Sequence, residues 1–552
     1  MKSIEILLSE LNRLDIKLWI ENGRLRFNAP AGAMSESLRD EIKACKSDLV
    51  RLLENTTDDH AAKITPDPEH RFDPFPLTRI QQAYWIGRSD NTFELGGVSA
   101  HVYAEIEGLG LDVAGLQVAW NHMIARHDML RAVVYPDGYQ RVLESVPIYT
   151  IKTHDQISAT GSQTEAHFDH IRKQLSHKVA AAETWPLFDI EATVLADDRV
   201  CLHLSFDGLI FDATSILLLA QECWTMYQKP DAFLKPINLT FRDYVLAENQ
   251  AKEGENYRRA RAYWWARMDE IPAAPDLPLI IDPASLTLPE FIRRQHKIDA
   301  PLWRKLKEKA QAAGLTPSAL LLTAFSDVLA LWSRSPHFTV NLSMFNRLPI
   351  HDQVNDIVGD FTTLNLLEVD TASAPQLLDR ARKLQERLWQ DMDHADVSGV
   401  EVLSELSRRR GWIGKAAMPV VFTSALALDA VNETDSDINP FGDLVWGITQ
   451  TPQVSLDVLV VEHKGHLVFA WDTVDALFPQ GVTEAMFETY CTYLTDMATQ
   501  GHDLSAIERP RWKRAQTSEQ SAPISEGLLH QPVFDMAATN PAAPAVITSQ
   551  LT

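Results

Sequence analysis

The sequence predicts an α/β protein of more than one globular unit, and three observations carry that expectation. Val200, Leu202, Leu204 and Phe206 alternate with Cys201, His203, Ser205 and Asp207, the period of a half-buried strand; Ile216, Leu219, Ala220, Cys223 and Tyr227 then recur at helical spacing. With 552 residues and 45% apolar content, the chain has material for several substantial cores. A separate run of short elements fills residues 1–55.

Composition narrows the function. The 51 basic and 75 acidic residues leave a net charge of -24, which repels a phosphate backbone at long range and argues against nucleic-acid binding. Apolar runs fall short of the ~18 residues of a membrane span, and Met1-Lys2-Ser3-Ile4-Glu5 turns amphipathic at once, so a cytoplasmic protein without a membrane partner is expected. Cys45, Cys201, Cys223 and Cys491 are scattered, which fits a reducing compartment and offers no zinc knuckle. HExxH, GxSxG, P-loop and GxGxxG signatures are missing.

In chain order, Ile4, Leu7, Leu8, Leu11 and Leu14 share a helical face. Lys17-Leu18-Trp19-Ile20-Glu21 and Arg24-Leu25-Arg26-Phe27 flank Asn22-Gly23, the signature of a two-residue hairpin turn. After Ala29-Pro30-Ala31-Gly32, Ser35 can cap a helix carrying Leu38, Ile42, Leu49, Leu52 and Leu53. Such a helix-hairpin-helix unit leaves a sheet edge open to strand addition by a peptide. Residues 56–72 are polar and proline-punctuated, as a linker is. Beyond them, Pro76 and Thr78 announce a helix bearing Ile80, Ala83, Tyr84 and Gly87.

The turn from Ser205 to Ser215 drops Asp207, Asp212 and Ser215 between a strand and a helix. Asp212 stands where an N-cap belongs, with Ser215 three residues on, so a local capping role competes with a chemical one for both. Asp207 closes the strand's polar face, where capping explains less. Downstream, Val454, Leu456 and Val458 alternate with Ser455, Asp457 and Leu459, which puts the Asp457 carboxylate opposite the apolar face of a strand. A solvated sheet-face carboxylate reads the same way, as does an ordinary strand threonine at Thr423.

Motifs settle between these readings. Ile16-Lys17-Leu18-Trp19, Gly23-Arg24-Leu25, Ala29-Pro30-Ala31-Gly32 and Lys46-Ser47-Asp48-Leu49 resemble the TubC-type N-terminal docking domain of nonribosomal peptide synthetases. Phe75-Pro76-Leu77-Thr78-Arg79-Ile80-Gln81-Gln82, Arg126-His127-Asp128-Met129-Leu130-Arg131, Asn346-Arg347-Leu348-Pro349, Gly359-Asp360-Phe361-Thr362, Val421-Phe422-Thr423-Ser424 and Thr449-Gln450-Thr451-Pro452-Gln453 resemble, in order, the core motifs of heterocyclization domains, the condensation-domain variants of those synthetases. Condensation domains carry HHxxxDG where heterocyclization domains carry DxxxxDxxS; Asp207, Asp212 and Ser215 fit the latter without a gap.

The resemblance implies two chloramphenicol-acetyltransferase-like lobes in a V-shaped pseudo-dimer with the active tunnel between them. Its division runs as docking domain 1–55, linker 56–72, lobes 73–255 and 256–505, and residues 506–552 as a linker into the start of an adenylation domain. It implies condensation of an upstream acyl thioester with a carrier-bound Cys, Ser or Thr, then cyclodehydration to a thiazoline or oxazoline. Substrates arrive on the phosphopantetheine arms of upstream and downstream carriers, with no bound cofactor or metal; the preceding subunit's C-terminal segment would dock at residues 1–55. Asp457 and Thr423 are the residues credited with cyclodehydration, Thr423 orienting Asp457 or the hemiaminal oxygen. Asp207 would face the tunnel and orient the amine, Asn346 would bond the substrate amide, and Asp212 would pair with Arg347 as a brace; Ser215 and Asp360 complete the motif set. The family places an aromatic residue two positions before this aspartate and polar residues after it, where this chain has Ser455 and Val458-Leu459, a departure that bears on substrate choice and cyclization. A condensation-only domain and a non-catalytic docking or gating module are the competing functions.

Overall fold

The computed structural model describes residues 64–88, 93–412, 414–426, 440–500 and 503–511, with 17–21, 24–28, 39, 42, 43 and 46. Two compact units separate after Pro510, and every element below lies in the unit Met1–Pro510. The helix expected over 4–14, the Asn22-Gly23 turn and the adenylation-like stretch from Leu528 lie outside the described residues. Strands β1 (Lys17–Glu21) and β2 (Arg24–Asn28) pair antiparallel with Glu21 opposite Arg24, so two residues connect them, the loop length of a tight hairpin.

The first half runs β3 (Phe75–Pro76), α1 (Arg79–Gly87), β4 (His101–Leu109), α2 (Val113–Arg126), β5 (Ala132–Val134), β6 (Tyr139–Val142), β7 (Lys152–Asp155), α3 (Gly161–Leu175), β8 (Phe188–Val194), β9 (Arg199–Asp207), α4 (Ala213–Gln228) and α5 (Phe241–Ala251). The second runs α6 (Glu255–Arg267), β10 (Ile292–Ile298), α7 (Ala300–Ala312), α8 (Pro317–Trp332), β11 (His337–Phe345), β12 (Thr362–Asp370), α9 (Leu377–Met392), α10 (Gly399–Arg410), β13 (Val420–Ser424), β14 (Asp443–Gln450), β15 (Leu456–His463), β16 (His466–Thr473) and α11 (Val482–Thr499). Each half is built on a mixed sheet: five strands in the order β14-β4-β9-β8-β7, and six in the order β10-β16-β15-β13-β11-β12.

Apolar burial explains both layers. Helices α2 and α4 cover the five-stranded sheet, and Trp120 meets Phe188 and Phe206 edge-on with centroids 5.4 and 5.9 Å away. In the second half α8 is apolar all round, so it is buried between the sheet and α11; Phe325 touches Phe422, Trp471 and Tyr490. Thr316 caps α8 and Pro317 opens it, both favourable at those positions. The buried Asp327 is matched inside this core by Arg380 and the Tyr493 hydroxyl. Among the described residues no single helix is long and apolar enough to cross a membrane; the bent pair α7 and α8 passes on composition as core helices do.

Two features tie the halves together. Strand β14 leaves the second half to pair antiparallel with β4, so the two halves share a sheet. The segment after β11 returns through the first-half core, where Ile350, Val354, Ile357, Val358 and Phe361 pack beside Phe241 and Tyr244. Gly359 is required there because a Cβ at this position would lie 2.2 Å from the Phe241 ring. Gly359→Ala should therefore cost about 1–3 kcal/mol through displacement of Phe241, read as a lower urea midpoint at unchanged slope.

Candidate active site

The site is assembled where the β9–α4 turn, the start of α1, the segment after β11 and the face of the six-stranded sheet converge. Thr78 and Gln81 form a capping box on α1, Thr78 Oγ1 accepting from Gln81 N at 3.2 Å and Gln81 Oε1 from Thr78 N at 2.9 Å. The Gln81 amide also donates to Leu209 O at 2.6 Å, so the cap fixes α1 against the β9–α4 turn. Arg88, at the end of α1, makes a buried ion pair with Asp207, whose other oxygen accepts from Leu209 N at 3.0 Å. Burial pushes the Asp207 carboxyl up and Arg88 pulls it back. Asp207 was expected to face the tunnel; instead it is buried with both oxygens engaged, because the polar face of β9 ends beneath α1 rather than in open space.

Asp212 is both cap and brace. Its Oδ1 accepts from Ser215 N at 2.7 Å, which caps α4, and from Arg347 Nη2 at 3.0 Å. Arg347 also donates to Ser215 Oγ at 3.0 Å and, through Nη1, to the Val354 and Ile357 carbonyls at 3.0 and 2.8 Å, with its guanidinium 4.1 Å from the Phe361 ring centre. The Ser215 hydroxyl accepts from Gly359 N at 3.2 Å and lies 2.9 Å from Gly359 O. Asp212, Ser215 and Arg347 thus form one buried junction between the halves.

Asn346 and Asp360 border a cleft with Tyr244, Glu248 and Lys252. The backbone of Asn346 is held by Phe361 O and Tyr244 Oη, leaving its side chain on the cleft. Asp360 Oδ1 accepts from Thr362 N at 3.1 Å, and Oδ2 is buried without a hydrogen-bond partner among the described residues. Burial raises its carboxyl well above the usual range; bonding to Thr362 opposes this and the Asp212 charge adds to it. Tyr84 stands near Asp360, Asp457 and Asp212, and burial with those charges lifts its phenol well above 10.0.

Asp457 belongs to a row of aligned residues across the six-stranded sheet: Arg293, Asp472, Asp457, Val421, Asn341 and Leu366 in β10, β16, β15, β13, β11 and β12. Its carboxyl is pushed up to about 7, first by burial and then by repulsion from Asp472, with Arg293 and Thr451 opposing. Thr451 Oγ1 donates to Asp457 Oδ2 at 3.4 Å. Thr423 is two residues along β13 from Val421, hence on the same face, but its ladder partner is Leu459. No hydrogen bond joins Thr423 to Asp457 among the described residues, so the expectation that Thr423 orients this carboxylate is corrected: the neighbouring hydroxyl is that of Thr451. The parallel stagger between β13 and β15 is the cause. Sequence reasoning did not pick out Tyr84, Thr451, Arg293 or Asp472 for the site; alternation of Asp472 between Trp471 and Thr473 was the available signal.

This fold is that of a condensation-type domain, and the chain belongs to the condensation-domain family, whose model matches residues 73–508. Residues 4–55 match the TubC N-terminal docking domain. Among solved structures, the EpoB NRPS cyclization-docking bidomain from Sorangium cellulosum is 38% identical with a TM-score of 0.79, covering 90% of this chain and 98% of that one. Pyochelin synthetase PchF of Pseudomonas aeruginosa (strain UCBPP-PA14) is 37% identical over 90% of this chain, and phenyloxazoline synthase MbtB of Mycobacterium sp. (strain MCS) 35% over 86%. The chain spans 27% of PchF and 40% of MbtB.

Arg347→Met should strand the Asp212 charge in the junction and cost about 3–5 kcal/mol by chemical denaturation, while a paired Asp212→Asn, Arg347→Met variant should recover part of that loss.

Proposed function

We propose that the chain condenses an acyl or peptidyl thioester on an upstream carrier with a Cys, Ser or Thr held on a downstream carrier, then cyclodehydrates the product to a thiazoline or oxazoline. The observation that carries the reading is the placement of Asp457, half-buried on the sheet face that also bears Thr423 and directly opposite Asp472, where burial and that charge push its carboxyl up to about 7. The similarity to the EpoB cyclization-docking bidomain and to phenyloxazoline synthase MbtB supports it. So does the DxxxxDxxS arrangement of Asp207, Asp212 and Ser215.

Amide formation needs little beyond positioning, since an amine attacks a thioester readily once two pantetheine arms hold them together. Asn346 borders the cleft and can bond the amide; Asp207 shapes the turn through Arg88 rather than touching the amine. Ring closure needs an acid and a base. As the side-chain thiol or hydroxyl adds to the amide carbonyl carbon, the Asp457 acid gives its proton to the carbonyl oxygen, and the resulting carboxylate takes the nucleophile's proton. In the second step Asp457 protonates the departing hydroxyl, the C–O bond breaks and water leaves, and the nitrogen's proton returns to Asp457 as the C=N bond forms. In this reading Thr423, whose hydroxyl has no protein partner among the described residues, holds the hemiaminal oxygen.

In this reading residues 1–55 receive the C-terminal segment of the upstream subunit along a hairpin edge, in the cytoplasm, and the lobes 73–255 and 256–505 share the β14 strand. A downstream adenylation domain would follow in the longer synthetase.

Asp457→Asn and Thr423→Ala should each accumulate linear amide on the downstream carrier, with ring closure reduced about 100-fold or more and condensation persisting, as mass spectrometry of the carrier-bound product will report. Linear amide and no ring from the native chain, unchanged in both variants, would leave a condensation-only domain; undiminished ring formation in both variants would exclude these roles of Asp457 and Thr423; and carrier binding with no amide at all would leave a gating module. Deleting residues 1–55 should abolish transfer from an upstream subunit supplied in trans while a directly loaded donor still reacts; undiminished transfer from the subunit would exclude docking there.

A further inference from the structure

The reading above asks Asp457 to arrive at the hemiaminal as an acid, and the sheet contains a device for that. Asp472 lies directly opposite Asp457 in the antiparallel β15–β16 ladder, where facing side chains have Cβ atoms about 4.5–5.5 Å apart. Two carboxylates so placed do not ionise together unless something holds one of them charged.

Asp472 is the one so held. Arg293 donates to it in a two-pronged pair, Nε to Oδ1 at 2.8 Å and Nη2 to Oδ2 at 2.5 Å. Thr449 adds two further donors to Oδ2, its backbone N at 3.0 Å and its hydroxyl at 2.5 Å. Asp457 has only the long contact from Thr451. Asp472 thus has an arginine and four hydrogen bonds, and Asp457 one long contact. The other groups that face Asp457 do not reverse this: Tyr84, approaching from α1, is a neutral phenol, and Val421 beside it in β13 is apolar.

We propose that Asp472, clamped as a carboxylate by Arg293 and Thr449, is the positioning residue that keeps Asp457 protonated for ring closure. The proposal rests on the function proposed for Asp457 and deepens it. Thr449 belongs to β14, which also pairs with β4 of the first half, so the crossing strand supplies two of the four hydrogen bonds and Arg293, on β10 beside β16, the other two. Burial and Asp472 repulsion are the two causes that raise Asp457, in agreement with this arrangement.

The test follows the rate of dehydration of the linear amide, carried on the downstream carrier, across the neutral pH range. In the native chain the rate falls as pH rises through about 7, where Asp457 loses its proton. Asp472→Asn keeps the shape but removes the charge, and should move that fall to lower pH by about one to two units, while Asp472→Glu restores it towards the native position. Amide formation in the same assay reports folding. If Asp472→Asn leaves Arg293 unpaired and fails to form amide, the double variant Arg293→Gln, Asp472→Asn removes the pair as a neutral unit and should shift the fall in the same direction by less, Asp472 being the nearer charge. An unmoved pH profile in a variant that still forms amide, with Asp457→Asn unable to close rings, would overturn the role of Asp472 and leave that of Asp457 standing. Native ring closure by Asp457→Asn would overturn both.

Discussion

The buried guanidinium of Arg347 is the constraint on which the arrangement of the two halves depends. One side chain collects Asp212 and Ser215 from the β9–α4 turn and the carbonyls of Val354 and Ile357 from the segment after β11. The two segments are remote in sequence, Ser215 and Gly359 being 144 residues apart where they meet. A buried charge without them would cost several kcal/mol, so the junction forms completely or not at all. Gly359 lets the returning segment come close enough, its backbone N–H and carbonyl closing on the Ser215 hydroxyl. What a local view treats as a helix cap is thereby also the tie between lobes.

From that junction the site follows by geometry. Fixing Arg347 at the end of β11 fixes Asn346 and Asp360 on the cleft, and seating β14 against β4 brings Thr449 to Asp472. Charge then sorts the carboxyls. Asp207 and Asp472 each have an arginine, whereas Asp360 and Asp457 have none in contact and are raised by burial. Burial raises Asp207 as well, but of the two raised groups that lack an arginine, Asp457 stands on the sheet face with Thr423, which suits proton transfer to a substrate, while Asp360 Oδ1 is tied to Thr362. The proposed division of these aspartates between structure and chemistry follows the cations each can reach.

Much of the fold was legible because it rests on local periodicity. β9 ends at Asp207 as its pattern predicts, although both of its faces are buried rather than one; Asp212 caps α4, and β15 carries Asp457 opposite its apolar set. The hairpin at residues 17–28 has the spacing its Asn-Gly pair demands. Contacts across the chain were not legible. No pattern near Asp207 announces Arg88, 119 residues earlier, and without that cation a strand-end aspartate reads as solvent-facing. The register between β13 and β15, which sets Val421 against Asp457 and Thr423 against Leu459, likewise leaves Thr451 as the hydroxyl that meets Asp457, and a pairing between strands more than 30 residues apart cannot be read from either strand alone. The same holds for Asp472, an unremarked residue after Trp471 until the ladder sets it against Asp457.

The central claim, that Asp457 is a carboxylic acid near neutrality, can be read without substrate. Difference infrared spectroscopy of the intact chain against its Asp457→Asn variant should show, at about pH 6, a protonated-carboxyl C=O band present only in the native protein and fading with a midpoint of about 7. A difference spectrum with no such band above about pH 5 would mean that Asp457 titrates as an ordinary aspartate, and would contradict the account.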